Sequence, residues 1–161
     1  MTNRTNTPKL LDNPPVPLQV KLAAAWTSFM FLYVYVDILG LYKPGTVDDI
    51  LAGIVFEFEI NETFGVVGIA SVAIPALMIW LSMTLPARAN RITNLVVATL
   101  YIPFSAYNVV GESSWLYFYA LSIGIELLLL AFILRSAWTW PRTSTVPDGR
   151  ATADLRQDLR Q

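Results

Sequence analysis

The sequence contains no cysteine and no histidine. Without cysteine it has no disulfide bonds, no thiolate nucleophile and no cysteine-ligated zinc or iron–sulfur cluster. Without histidine it lacks the ligands of a His-bound haem and the base of a Ser-His-Asp triad. We therefore expect neither a metal nor a cofactor.

Charged residues are also scarce. They make up 14% of the chain, whereas a soluble domain carries about 25%. Hydrophobic residues make up 55%, and a net charge of −1 gives no basis for binding nucleic acid. The composition predicts an integral membrane protein, whose first partner is the lipid bilayer.

Four segments are almost free of charge: 22–42, 64–85, 92–110 and 115–134. Each is close to the roughly 20 residues that a helix needs to cross a bilayer. We predict an all-α fold in which these helices form an antiparallel four-helix membrane bundle over residues 21–141. A flexible leader over 1–20 and a flexible tail over 142–161 are expected on either side.

The distribution of lysine and arginine predicts the orientation. Ten of the eleven basic residues precede the first span, lie between the second and third spans, or follow the fourth. Only Lys43 lies on the opposite side. By the positive-inside rule, we predict a multi-pass protein of the cell membrane with both termini in the cytoplasm.

The loop between the first two spans is predicted to hold a short amphipathic segment. Thr46 is a candidate N-cap, and Asp48 and Asp49 suit the first turn of a helix. The alternation over 56–60 also fits a strand, but a lone strand lacks a partner, so we favour a helix that runs into an extended link. The segment either covers an outward-facing cavity or packs at the membrane interface. Asn61 is the expected N-cap of the second span.

Two acidic residues lie inside the predicted spans, Asp37 and Glu126. A charged carboxylate at the bilayer centre costs about 2.5–3.5 kcal/mol even on a lenient scale. Serine or asparagine could join helices at a lower cost, so an acid at this depth indicates a functional role. Asp37 lies about 8 Å below the outer end of its span, and Glu126 lies roughly 17 Å below, near the bilayer centre. Since no span contains a basic residue, we expect Glu126 to be protonated at neutral pH.

The third predicted span carries a stripe at heptad spacing: Asn94, Ala98, Tyr101, Ser105 and Asn108. By depth, Ser105 and Asn108 lie level with Asp37, and Tyr101 approaches the level of Glu126. Tyr33 shares the helical face of Asp37, and Tyr119 and Ser122 share that of Glu126. The predicted ligand or proton site is therefore Glu126, Asp37, Tyr33, Tyr101, Ser105, Asn108, Tyr119 and Ser122.

Two prolines, Pro75 and Pro103, interrupt the second and third spans. Each removes a backbone donor and frees the carbonyl four residues earlier, at Ser71 and Thr99. The expected donor to such a carbonyl is a tyrosine hydroxyl or a protonated Glu126. Small residues of the second span are expected to let helices approach closely: Gly65, Gly68 and Ser71.

Several short motifs occur together along the span region. They are Lys21-Leu22 with Trp26, Phe29-Met30-Phe31, Asp37-Ile38, Pro44-Gly45, Ile60 with Thr63-Phe64, Ile74-Pro75, Met78-Ile79, Leu81-Ser82, Arg88-Ala89-Asn90-Arg91 with Asn94, Glu126 and Ala137-Trp138-Thr139-Trp140-Pro141. Over about residues 21–141 this set resembles a family of small bacterial four-helix membrane proteins known only as a domain of unknown function. The resemblance implies the four-helix topology and singles out Asp37 and Glu126, but it brings no established activity.

Three classes of function fit these residues. The first, which we favour, is a carrier or binding protein for a small molecule or for protons, with Glu126 and Asp37 as titrating groups. Because four helices are few for a transporter, it would act as a homo-oligomer on a small apolar or amphipathic ligand. The second is a structural or accessory subunit of a membrane complex. The third is a membrane-embedded enzyme acting on a lipid-like substrate, with the two carboxyls as acid and base within about 5–10 Å of it.

Overall fold

A computed structural model describes residues 14–107 and 114–141 of the chain. The described part contains five helices and two very short strands. In chain order they are α1 (Leu18–Gly40), α2 (Thr46–Leu51), β1 (Ile54–Val55), β2 (Phe58–Glu59), α3 (Glu62–Thr84), α4 (Ala87–Tyr107) and α5 (Leu116–Trp138). The all-α prediction is confirmed, and residues 1–13 and 142–161 of the predicted leader and tail lie outside the described residues.

Three of the helices, α1, α3 and α5, are long and apolar enough to cross a membrane. They begin and end within a few residues of the predicted spans. Pro17 precedes α1 directly, and its carbonyl accepts a hydrogen bond from the Lys21 amide at 3.2 Å. Proline fits there because the first amide groups of a helix have no hydrogen-bond partner within the helix, so the missing N–H costs nothing.

The start of α4 differs from the prediction, which placed a loop over 86–91 and began the helix at 92. The helix instead begins at Ala87, and the Pro86 carbonyl accepts a hydrogen bond from the Asn90 amide at 2.9 Å. Arginine and alanine are good helix formers, so the helix extends beyond the apolar part of the sequence. Leu85 is extended, as expected for a residue before proline, and the connection from α3 is only two residues long.

The long helices pack in pairs. α1 packs against α3 and α5, α4 packs closely against α5, and α3 and α4 touch over a smaller area. One end of the molecule, the basic end, carries the exposed or half-buried Lys21, Arg88, Arg91 and Arg135. The opposite, acidic end carries the exposed Asp48, Asp49, Glu57, Glu59 and Glu62.

Packing is dense at the basic end and thins toward the acidic end. The buried residues of α1 all lie between Leu22 and Phe29, and those of α3 between Pro75 and Ser82. In contrast, α4 and α5 have buried residues along most of their length. The halves of α1 and α3 nearer the acidic end therefore contribute no fully buried residue.

The segment between α1 and α3 corrects two predictions. Thr46 is the first residue of α2 rather than its cap, because Gly45, at a φ of +91°, makes the turn into the helix. The helix predicted in this loop is confirmed over Thr46–Leu51, but the extended link expected after it was wrong, since β1 and β2 pair antiparallel and supply the partner that a lone strand would lack. The predicted cap of the second span is confirmed: Asn61 precedes α3, and its side chain accepts from the Phe64 amide at 2.9 Å.

Candidate functional site

Glu126 lies on the face of α5 that points into the core. Its side chain is only 3% exposed. The same face buries Tyr119 and Ser122 toward the acidic end and Leu130 toward the basic end. One carboxyl oxygen, Oε2, has no hydrogen-bond partner among the described residues. A buried carboxyl group with an unpaired oxygen is costly, which distinguishes Glu126 from ordinary packing residues.

Ser105 of α4 lies beside the Glu126 carboxyl group. Its side chain is fully buried, and its Oγ also makes no hydrogen bond of acceptable geometry to the described residues. Two neighbouring oxygen atoms from different helices thus lack well-formed bonds inside the core. The nearest basic residue along α5, Arg135, lies nine residues away, about 13 Å along the helix axis.

Asp37 occupies a different environment. Its side chain is exposed on the surface of the described chain, on the half of α1 that lies toward the acidic end. It nevertheless lies near Glu126, and Tyr33 lies near both acids. The structure therefore brings Glu126, Ser105, Asp37 and Tyr33 into one neighbourhood. Asn108, the remaining polar residue predicted at this depth, lies outside the described residues.

Tyr101 provides the hydrogen-bond donor for the carbonyl that the proline in α3 leaves unpaired. Its hydroxyl donates to the Ser71 carbonyl at 2.6 Å. Ser71 lies four residues before Pro75, so this is the carbonyl that the proline leaves without an amide partner. The prediction of a tyrosine donor is confirmed, and the alternative donor, Glu126, is not the one used.

An aromatic layer, formed by Phe29, Tyr33, Tyr101 and Phe104, extends from the level of Ser105 toward the basic end. The Phe29 and Tyr101 ring centroids are 5.7 Å apart and edge to face, and those of Tyr101 and Phe104 are 5.4 Å apart. Tyr33 stacks on Phe29 at 6.3 Å and lies 6.3 Å from Phe104. Such geometries are the favoured ones for aromatic pairs. The layer joins α1 to α4 through their side chains.

A buried polar network lies nearer the basic end. Trp26 Nε1 donates to Asn94 Oδ1 at 2.7 Å, and Asn94 Nδ2 donates to Asn90 Oδ1 at 2.7 Å. Asn90 Nδ2 in turn donates to the Ser82 carbonyl at 2.6 Å. All four residues are buried. Sequence reasoning placed Asn94 on an inward stripe but missed the network, whose signal is the Asn90–Asn94 spacing of four residues.

The remaining predicted positions have simpler roles. Ser122 Oγ donates to the Phe118 carbonyl of its own helix at 2.8 Å. Tyr119 packs toward α1, where a Cβ added to Gly40 would lie 3.8 Å from its hydroxyl oxygen. The close helix approach predicted at Gly65 and Gly68 is wrong for the described residues, since no heavy atom lies within 4 Å of a Cβ built at either position.

A family model described as a family of unknown function, DUF6326, matches residues 18–146. The chain belongs to this family. The match spans α1 to α5 and so contains the Glu126 neighbourhood, the aromatic layer and the polar network. No curated protein and no solved structure matches the chain. The resemblance seen in the sequence is confirmed at the level of the family.

Proposed function

We propose that α4 crosses the membrane together with α1, α3 and α5 as an antiparallel four-helix bundle. The contacts of α4 with α5, and the Tyr101 bond to α3, support this arrangement. The polar side chains that lower the hydropathy of α4 are largely turned inward, as Asn90, Asn94 and Ser105 are buried. Arg88 and Arg91 lie in its first two turns, where long basic side chains reach the headgroup region.

The orientation follows from charge. The basic end would face the cytoplasm, with both termini there, and the acidic end would face outward. Single cysteines placed by Thr46→Cys and Ala89→Cys test this in intact cells. An impermeant thiol reagent should label the variant at position 46 and leave the one at position 89 unlabelled. The reverse pattern would contradict the orientation.

The function that the site supports best is a proton-linked carrier or binding protein for a small amphipathic molecule. The observation that carries this proposal is the buried Glu126 carboxyl group beside Ser105, whose Oε2 makes no hydrogen bond to the described residues. Serine or asparagine can form the hydrogen bonds that join membrane helices at a lower desolvation cost than a carboxyl group. A carboxyl oxygen in this environment can carry a proton or accept a hydrogen bond from a ligand.

The packing gradient supports a carrier rather than a sealed bundle. The buried rings of Phe29 and Tyr101 and the polar network close the core on the basic side of Glu126, whereas α1 and α3 are loosely packed on its acidic side. Access to Glu126 would thus come from the acidic end. Movement of α1 and α3 on that side would admit a proton or a ligand to the carboxyl group.

Charge restricts the substrate. The described apolar parts of the four helices contain two carboxyl groups and no lysine or arginine. An anion would meet repulsion there without any compensating charge. The site therefore favours a cation that replaces the Glu126 proton, and the rings of Tyr33 and Phe104 suit an aromatic or quaternary ammonium group.

Proteoliposomes test this proposal with benzyltrimethylammonium, a permanently charged aromatic cation. An acidic interior should drive uptake, and Glu126→Gln should reduce uptake to the level of empty liposomes. Glu59→Gln, which removes an exposed acid of β2, is the matched control and should leave uptake unchanged. Uptake that is absent in the unsubstituted protein, or equal in Glu126→Gln, would contradict a proton-linked cation carrier.

A second candidate function is supported by α3. Its half toward the acidic end is exposed, and space is open beside Gly65 and Gly68. Small residues on a membrane helix allow another helix to pack closely. This surface would suit either a second copy of the chain or a different subunit, as in the accessory-subunit alternative. The enzyme alternative remains a hypothesis from the sequence.

A further inference from the structure

A second site of interest lies at the basic end, far from Glu126. A groove of about 370 Å³, the basic-end groove, runs between the start of α1 and the end of α5. Leu18 and Lys21 line it from α1, Phe132 and Ser136 line it from α5, and Thr139 lines it directly after the end of α5. Its volume lies at the lower end of the range of ligand pockets, which suits a compact polar headgroup.

The charge around the basic-end groove is positive. Lys21 lines it, and Arg135 lies on the same face of α5, three residues after Phe132. Among the described residues, the ranges 14–36, 63–107 and 127–141 contain no aspartate or glutamate. Within the described part of the chain, the basic-end groove thus has no nearby carboxylate that would neutralise its lysine or repel an anion.

The donors of the basic-end groove lie at one depth. Lys21 is three residues from the start of α1 and Ser136 is two residues from the end of α5, so they lie about 5 Å and about 3 Å inside the helix ends. The Thr139 hydroxyl donates to the Arg135 carbonyl at 2.8 Å, which leaves Lys21 and Ser136 as the donors suited to an anion.

Apolar surface continues from these donors toward the membrane interior. Phe132 lies one helical turn deeper than Ser136 on the same face of α5 and is 44% exposed. Trp138, at the end of α5, is also largely exposed, and tryptophan favours the lipid headgroup level. The basic-end groove therefore places cationic and hydroxyl donors at headgroup depth, with an aromatic wall below them.

We propose that the basic-end groove binds one anionic phospholipid. Its phosphate accepts hydrogen bonds from Lys21 and Ser136, and the upper part of an acyl chain lies along Phe132. Arg135 adds attraction for a negatively charged headgroup over a zwitterionic one. This site is independent of the carrier proposed at Glu126.

Native mass spectrometry of the full chain, released from mild detergent with added phosphatidylglycerol or phosphatidylcholine, tests the proposal. Phosphatidylglycerol should be retained at one molecule per chain, and phosphatidylcholine much less. Lys21→Gln should lower phosphatidylglycerol retention about fivefold, the effect of one basic residue near an anionic headgroup. Adding Ser136→Ala to Lys21→Gln should lower phosphatidylglycerol retention further, without altering the helix content measured by circular dichroism.

Arg88→Gln is the matched control, because Arg88 is an exposed basic residue of the same end that does not line the basic-end groove. It should leave retention nearly unchanged, whereas a loss equal to that of Lys21→Gln would show diffuse attraction and overturn the site. Equal retention of the two lipids would also overturn it. Excess inorganic phosphate should not displace the lipid, since it lacks an acyl chain; displacement would rule out a phospholipid as the specific ligand.

Discussion

Asn94→Leu is expected to lower the free energy of unfolding by roughly 3 kcal/mol, because it leaves two buried polar groups without partners. The Trp26 indole N–H loses its acceptor, and Asn90 Oδ1 loses a donor. Interhelical hydrogen bonds in membranes average only about 0.6 kcal/mol, so the loss of the bonds themselves is the smaller part. The larger part is the desolvation of the two orphaned groups.

Reversible unfolding in mixed micelles measures this loss. Thr99→Val, on an exposed face of the same helix, removes a hydroxyl that bonds only to its own backbone and should change stability by less than about 0.5 kcal/mol. Combining Asn94→Leu with Trp26→Phe should cost less than the sum of the two single changes, since both remove the same bond. A loss below about 1 kcal/mol for Asn94→Leu would mean that the network does not hold the basic end together.

Tyr101→Phe is expected to cost about 1–3 kcal/mol, because the Ser71 carbonyl then has no donor. The cost should depend on Pro75. With Pro75→Ala, the backbone amide at position 75 can donate to the Ser71 carbonyl, as in an uninterrupted helix. Tyr101→Phe should then cost at most about half as much in the Pro75→Ala background.

The same unfolding measurement gives the four corners of this double-mutant cycle. Tyr107→Phe is the control, since Tyr107 lies on the same helix but is 64% exposed. It should alter stability by less than about 0.5 kcal/mol. Equal costs of Tyr101→Phe with and without Pro75 would show that the hydroxyl stabilises the protein by some route other than the freed carbonyl.

The Tyr101 bond illustrates what the sequence can predict about a membrane helix. A proline removes one identifiable donor, so the orphaned carbonyl at Ser71 follows from covalent structure alone. Lipid offers no replacement, so a donor from another helix must lie nearby. The identity of that donor depends on how α3 and α4 pack, and for that reason the sequence left both a tyrosine and Glu126 as candidates.

The start of α4 shows why the limits of an apolar segment and the limits of a helix differ. Hydropathy changes sharply at 92, where the arginines end, but backbone hydrogen bonds continue through them from Ala87. The extended link after α2 was mispredicted for a related reason. The alternation over 56–60 indicated a strand, and the partner that makes one possible, Ile54–Val55, lies only three residues earlier across a tight turn.

The candidate site was predictable in part. Glu126 stood out because an acid near the bilayer centre is costly, and its spacing from Ser122 and Tyr119 placed all three on one face. Its position beside Ser105 and its unpaired Oε2 required the packing of α4 on α5. Likewise, the Asn90–Asn94–Trp26 network joins helices that are far apart in sequence, so spacing alone could not assemble it.

Glu126 is expected to hold a proton that a ligand can displace, and infrared difference spectroscopy tests this most directly. The unsubstituted protein should show a protonated-carboxyl band at neutral pH that Glu126→Gln abolishes and Glu59→Gln leaves intact. The band should diminish when benzyltrimethylammonium is added, as the cation takes the place of the proton. Absence of this band at neutral pH would contradict the claim. A band that stays unchanged from about pH 5 to about pH 9, with or without the cation, would make Glu126 a structural residue.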